Sequence, residues 1–167
     1  MTPSHTRSLK RAAAALVICA AMNAPALAQK EAIVPEGSEW APEQFQFSPA
    51  VRAGEFVFLA GVVANLDRDG NGDLIRPTQD QLIASYENAF RYIGDVLKAA
   101  DAEFDDVVEM TTFHTDLRAQ GDAFIEAKKM FLKEPYPAWT AIDVDRLWPD
   151  SGITEIKIVA YAPKKQP

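Results

Sequence analysis

Apolar and polar residues follow two different periods along this chain, and the switches between them mark its elements. Residues 55–63 (Glu55-Phe56-Val57-Phe58-Leu59-Ala60-Gly61-Val62-Val63) are dense in aromatic and β-branched side chains and predict a strand. A turn rich in Gly and Asp follows at 67–73. From Gln79 to about Ala100 the period becomes helical: Leu82, Ile83, Tyr86, Phe90, Ile93 and Leu97 fall on one face. Thr78 and Gln81 stand at capping-box positions just after Pro77, where their side chains satisfy the free amides of a first turn. Residues 107–115 predict a strand, and 122–133 a shorter amphipathic helix ended by Pro135 and Pro137. Two strands, 139–144 and 154–162, close the chain.

The resulting order, β, β, α, β, α, β, β, points to an α+β fold with one mixed sheet and both helices packed on one face. The last strand then poses a problem. Ile156, Ile158 and Ala160 alternate with Val159 and Tyr161, so both of its sides are partly apolar. Helices that cover only one face leave the other to self-association.

The first 28 residues have the three parts of a secretory signal. Arg7, Lys10 and Arg11 supply the positive start, and residues 12–22 form an apolar run of 11 residues. Ala26-Leu27-Ala28 offers small residues for cleavage before Gln29. A membrane span needs roughly 20 apolar residues, so the run predicts export, to the periplasm or outside the cell, with no membrane association after cleavage. Residues 29–46, polar and holding Pro35 and Pro42, read as a leader to a domain spanning 47–167.

Cleavage leaves 139 of the 167 residues and removes three of 17 basic residues but none of the 24 acidic ones, taking the charge to −10. Such a surface opposes nucleic acid and anionic lipid. Cys19 is also lost, so stability must come from packing or assembly and not from disulfides. One histidine and no cysteine then remain, which excludes Cys- or His-cluster metal sites, and no organic cofactor is implied. His114, inside a strand, reads as structural, with a cleft position as the alternative. The loop Asp67-Arg68-Asp69-Gly70-Asn71-Gly72-Asp73-Leu74 matches half of a calcium loop, but Thr78 stands where a bidentate Glu belongs. A solvated acidic turn is the simpler reading.

Several blocks resemble the YjgF/RidA family. They are Phe47-Ser48-Pro49-Ala50-Val51-Arg52, Leu59-Ala60-Gly61, Thr111-Thr112-Phe113 with Asp116-Leu117, Pro137-Ala138-Trp139-Thr140, and the closing 155–162 segment. The resemblance implies a chorismate-mutase-like α+β fold and a homotrimer with small-molecule clefts between subunits. It also implies hydrolysis of reactive enamines and imines, in which an arginine holds the substrate carboxylate and a last-strand glutamate positions water. That glutamate corresponds to Glu155. The arginine position holds Trp139, and the cleft tyrosine position holds Phe47.

Loss of a desolvated arginine–carboxylate contact costs ~2–5 kcal/mol, and an indole cannot neutralise an anion. The expectation is therefore a cleft lined by Phe47, Trp139 and Glu155 that prefers a neutral or aromatic ligand and is not that of a standard 2-iminopropanoate deaminase. Glu126 on the second helix and Arg146 beyond the fourth strand are further candidates for cleft contacts, with solvated surface positions as their alternatives. Two functions are consistent with such a cleft: a hydrolase of imine, enamine or related C–N bonds, or a non-catalytic binder of a small aromatic metabolite. A holdase-like role using the acidic surface is a third and weaker reading.

Overall fold

The computed structural model describes residues 30–66 and 76–164. The signal segment and the calcium-like loop lie outside them. The longest helix, α2 (Gln79–Ala99), begins as its capping box requires: Gln81 N donates to Thr78 Oγ1 at 3.3 Å and Thr78 N to Gln81 Oε1 at 2.9 Å. Its buried face comprises Leu82, Ser85, Tyr86, Ala89, Phe90, Ile93, Val96 and Leu97. At its end Asp101 adopts a left-handed φ of 52°, and Ala102 N donates to Leu97 O at 2.9 Å, closing the last turn.

Seven strands form one mixed sheet in the order β1 (Glu31–Ile33), β2 (Ala50–Ala53), β3 (Phe56–Leu59), β7 (Gly152–Tyr161), β5 (Val107–His114), β6 (Ala138–Asp143), with β4 (Val62–Asn65) also paired to β7. Only β5 and β6 run parallel, joined through α3 (Leu117–Lys128). Helices α2 and α3 both lie on the face carrying Val57, Leu59, Met110, Ile156, Ile158 and Ala160, all buried with them in one core. This is the α+β arrangement expected, with both long helices on one face.

Three details differ from the sequence reading. The strand expected at 55–63 is divided into β3 and β4. Phe58 faces Val159 while Val62 faces Ile156, so one strand advances four residues against three on β7 and bulges at Ala60–Gly61. Helix α3 starts five residues earlier than expected, because Asp116 Oδ1 accepts from Ala119 N at 3.0 Å and caps it there, and it ends at Lys128, before Pro135 and Pro137 can act as its stop. The segment read as a leader is folded over much of its length. β1 pairs with β2, α1 (Trp40–Phe45) buries Ala41, and Ser38 Oγ meets Tyr92 OH at 2.9 Å. A three-residue strand followed by Pro35 is too short for period-2 alternation to show.

The other sheet face is bare within one chain. Phe56, Phe58 and Tyr161 project there, each about two-fifths exposed, with the Phe56 and Tyr161 rings 5.3 Å apart. Exposed aromatic strips of this kind are common at contact surfaces.

Arg52 locks the core. It is buried, and its guanidinium donates to the carbonyls of Ala162, after β7, and Ala100, at the end of α2. The negative end of the helix dipole offsets part of the cost of burying that charge. Arg52→Met keeps the stem but leaves two buried carbonyls unpaired. Urea unfolding should show a loss of about 2–3 kcal/mol. A change below about 0.5 kcal/mol, ordinary for a surface site, would contradict this role.

Candidate functional site

Alternation along β7 decides which side chains can meet. Its even-numbered residues face the helices, so Glu155 stands on the bare face. Register places it between Phe113 of β5 and Val63 of β4, with Ile142 of β6 beyond Phe113. The carboxylate lies over Gly61 at the bulge. A Cβ there would sit 2.8 Å from Glu155 Cγ and overlap Oε1, so glycine is what lets the side chain lie across the strand. Among the described residues Glu155 makes no hydrogen bond or ion pair, which leaves both oxygens free to accept from water.

Phe47 lies two residues before Pro49, whose carbonyl accepts from Ala60 N at 2.9 Å, one residue from Gly61. Its ring meets Trp40 edge-on at 5.9 Å; Trp40 in turn meets Phe45, and Phe45 meets Trp148 at 5.4 Å. All four rings are exposed. Phe47 was legible as a candidate in the sequence; its three companions, from α1 and the loop before β7, were not.

Trp139 points the other way. It is level with Met110 on the helix face, packs on Phe124 of α3 at 5.6 Å, and donates from Nε1 to Thr112 Oγ1 at 3.0 Å. One chain therefore does not bring Trp139 and Glu155 together: they occupy opposite faces of the sheet. Lys128, which carries no motif that singles it out in the sequence, sits with its ammonium 3.7 Å from the centre of the Trp139 ring, a cation–π contact. Glu126 is exposed on α3, and Arg146 is an exposed residue paired with Asp150 at 2.6 Å.

His114 is fully buried and belongs to the core. Its Nε2 lies 2.9 Å from Thr112 Oγ1 and its Nδ1 3.0 Å from Thr154 Oγ1, which also meets Tyr86 OH at 3.1 Å. Burial pushes the imidazole pKa below the ordinary range, opposed by Asp143 and Gln120. The neutral ring fits this hydroxyl network, with Nε2–H donating to Thr112 and Nδ1 accepting from Thr154. Burial likewise pushes the Tyr86 phenol up to about 12, partly offset by its bond to Thr154. Among the described residues no group of three or more His, Cys, Asp or Glu could hold a metal, and no helix is long and apolar enough to cross a membrane.

A mixed sheet with two helices on one face, a bulge under a last-strand glutamate and a bare aromatic face describe one class of small α+β protein. The sequence model of the family described as Endoribonuclease L-PSP matches residues 39–162. The chain belongs to this family, the YjgF/RidA family. The RutC family protein YjgH of Escherichia coli (strain K12) is 30% identical over 140 residues, covering 83% of this chain and all of that protein. A solved structure of protein YjgH superposes with a TM-score of 0.61 at 31% identity, covering 81% of this chain and 98% of that one. RidA from an Antarctic Psychrobacter is similar with a TM-score of 0.55 at 28% identity, over 77% and 94% of the two chains.

The seating of Glu155 on Gly61 is directly testable. Because only a flexible side chain must move, Gly61→Ala should lower stability by no more than about 1.5 kcal/mol, the scale of an off-rotamer side chain. A crystal structure of the variant should show the Glu155 carboxyl swung off the bulge. An unmoved carboxyl would show that Gly61 has no bearing on it.

Proposed function

We propose that this chain is exported and assembles as a homotrimer whose bare sheet faces meet, with a small-molecule cleft at each subunit boundary. Glu155 positions water there for hydrolysis of an imine, enamine or related C–N bond. The observation that carries this reading is the placement of Glu155: a carboxylate with no partner among the described residues, seated on glycine and flanked by Phe113 and Val63. Water held by that carboxylate adds to the carbon of a C=N bond, the carboxylate carries the protons of that water to the nitrogen, and expulsion of ammonia or an amine leaves a carbonyl product. Trp139 and Glu155 point to opposite faces of one chain, so a cleft that uses both is built from two subunits.

Export rests on the signal pattern in residues 1–28 and directs the protein to the periplasm or beyond the cell. Ribonuclease chemistry, suggested by the family's description, fits poorly with a net charge of −7 on the whole chain, because binding RNA without sequence preference relies on basic groups along the phosphates.

A second reading, capture of a small aromatic compound without turnover, is favoured by the four exposed rings of Trp40, Phe45, Phe47 and Trp148. Stacking on such rings needs no catalytic group.

Trp139 in place of the arginine argues against a standard 2-iminopropanoate deaminase, so ammonia or amine release from a freshly generated uncharged aryl imine, with 2-iminopropanoate beside it, separates the two. For a hydrolase the wild-type protein is active, and Glu155→Gln loses about 10²–10⁴ of the rate, the usual contribution of a positioned acid–base group. Equal rates in wild type and variant would remove Glu155 from the chemistry. No release from either substrate would favour the binding reading.

A further inference from the structure

Among the described residues strand β4 pairs only with β7, and α2 runs beside its free edge. Between them lie two adjoining cavities of about 300 and 280 Å³, both bordered by Asn65, Ser85 and Asn88. One extends to Pro77 and Gln81, the other to Tyr92. Together they form a groove on the helix side of the sheet, whereas Glu155 stands on the bare side. Its size falls at the small end of the range for sites that hold small molecules, roughly 300–1,000 Å³. Among the described residues no Asp, Glu, Lys or Arg lines it, although these make up 25% of the chain.

The hydrogen-bonding groups of the groove are unevenly engaged. Thr115 N donates to Ile153 O, so the odd-numbered residues of β7 turn their backbone to β5 and the even-numbered ones to β4. Val62 and Ala64, opposite Ile156 and Thr154, thus make the ladder bonds, and Val63 turns its N–H and C=O outward. The acceptors along the groove already have donors. Asn65 Nδ2 donates to Val63 O at 2.9 Å, and Ser85 Oγ to Asn65 O at 2.7 Å. Asn65 Oδ1 accepts from Ser151, Gln81 Oε1 from Thr78 N, and Asn88 Oδ1 from Arg91. The donors are left over: Gln81 Nε2 and Asn88 Nδ2 have no partner among the described residues, and the Val63 N–H faces the free edge. Because Asn65 covers the Val63 carbonyl, an added strand could not use it, and the edge is closed to a peptide in that register.

We propose that this groove binds a small uncharged molecule that carries carbonyl acceptors and no donors of its own. The free amides select acceptors. A carboxylate would find no cation in the lining to offset its desolvation, since the neighbouring Arg91 is paired with Glu87. The buried Ala89 on α2 gives the body of the ligand an apolar contact. This site goes beyond the Glu155 chemistry and does not depend on it.

Calorimetric titration of the purified protein with 1,3-dimethyluracil, an uncharged ring with two carbonyl acceptors and no N–H or O–H, tests this. As comparisons, 1,3-dimethylorotate adds a carboxylate to the same ring, and m-phenylenediamine offers donors on a ring of similar size. Saturable binding of 1,3-dimethyluracil is expected, at least about tenfold tighter than of either comparison. Asn88→Asp and Gln81→Glu exchange an amide donor for an acceptor at nearly constant shape, and the new glutamate still serves the capping box of α2. Each should weaken binding at least about fivefold without lowering the urea midpoint of unfolding. Absence of saturable binding overturns the proposal, and so does an affinity unchanged in both variants. Tighter binding of either comparison compound overturns it as well. Binding lost in Glu155→Gln but kept in both groove variants assigns the ligand to the Glu155 cleft and overturns the groove.

Discussion

Strand β7 lies inside the sheet and is pulled in two directions by its own alternation. Thr154, Ile156, Ile158 and Ala160 are buried beneath α2 and α3, and this burial drives folding of the chain. Glu155, Lys157, Val159 and Tyr161 are thereby committed to the opposite face, where no helix covers them. A one-residue slip of β7 would exchange these sets, placing Glu155 and Lys157 in the core, so register here is strongly specified. The bulge at Ala60–Gly61 is what β3 and β4 require to follow this strand along its length, and it opens the space into which the Glu155 side chain folds.

This constraint divides the labour between the two faces. The helix face is sealed by packing and by a hydroxyl network through Thr112, His114, Thr154 and Tyr86 that leaves no buried side-chain polar atom unpaired among the described residues. Trp139 is tied into that network at its rim. The bare face keeps its aromatic strip and the unpartnered Glu155 carboxylate. Chemistry that needs both the Glu155 carboxylate and the Trp139 indole cannot be completed by either face alone. Assembly would cover the strip and also bring groups from opposite faces to a shared boundary. Burying apolar area in this way is worth about 25 cal/mol per Å², and it would compensate a domain that has no disulfide to rely on.

Much of this was readable from residue order. The capping box of α2 and its apolar face gave that helix to within a residue at its C-terminus, and β5, β6 and β7 fell within two residues of their expected bounds. What escaped has identifiable causes. β1 and α1 are too short for a periodic signal. The bulge leaves no trace in a run that is apolar on both sides of Gly61, because only pairing with β7 reveals the extra residue. Asp116 caps α3 ahead of Gly121, a poor helix former that obscures the start. The facing of Trp139 was not legible either, since Trp139 and Ala141 alternate with Thr140 and Ile142 and neither set is clearly the inner one. Lys128 looked like an ordinary solvated helix end; its contact with Trp139 exists only once α3 crosses back to β6.

A cleft shared between subunits depends on closure of the bare face against other copies of the chain. Sedimentation equilibrium of the purified protein beside Phe58→Glu, which sets a charge in the middle of the aromatic strip, tests this directly. The wild-type protein should have three times the mass of one chain and the variant should fall to a single chain with its fold retained. A wild-type protein that is monomeric at micromolar concentration, or a variant as fully assembled as the wild type, would contradict assembly through this face and a cleft shared between subunits.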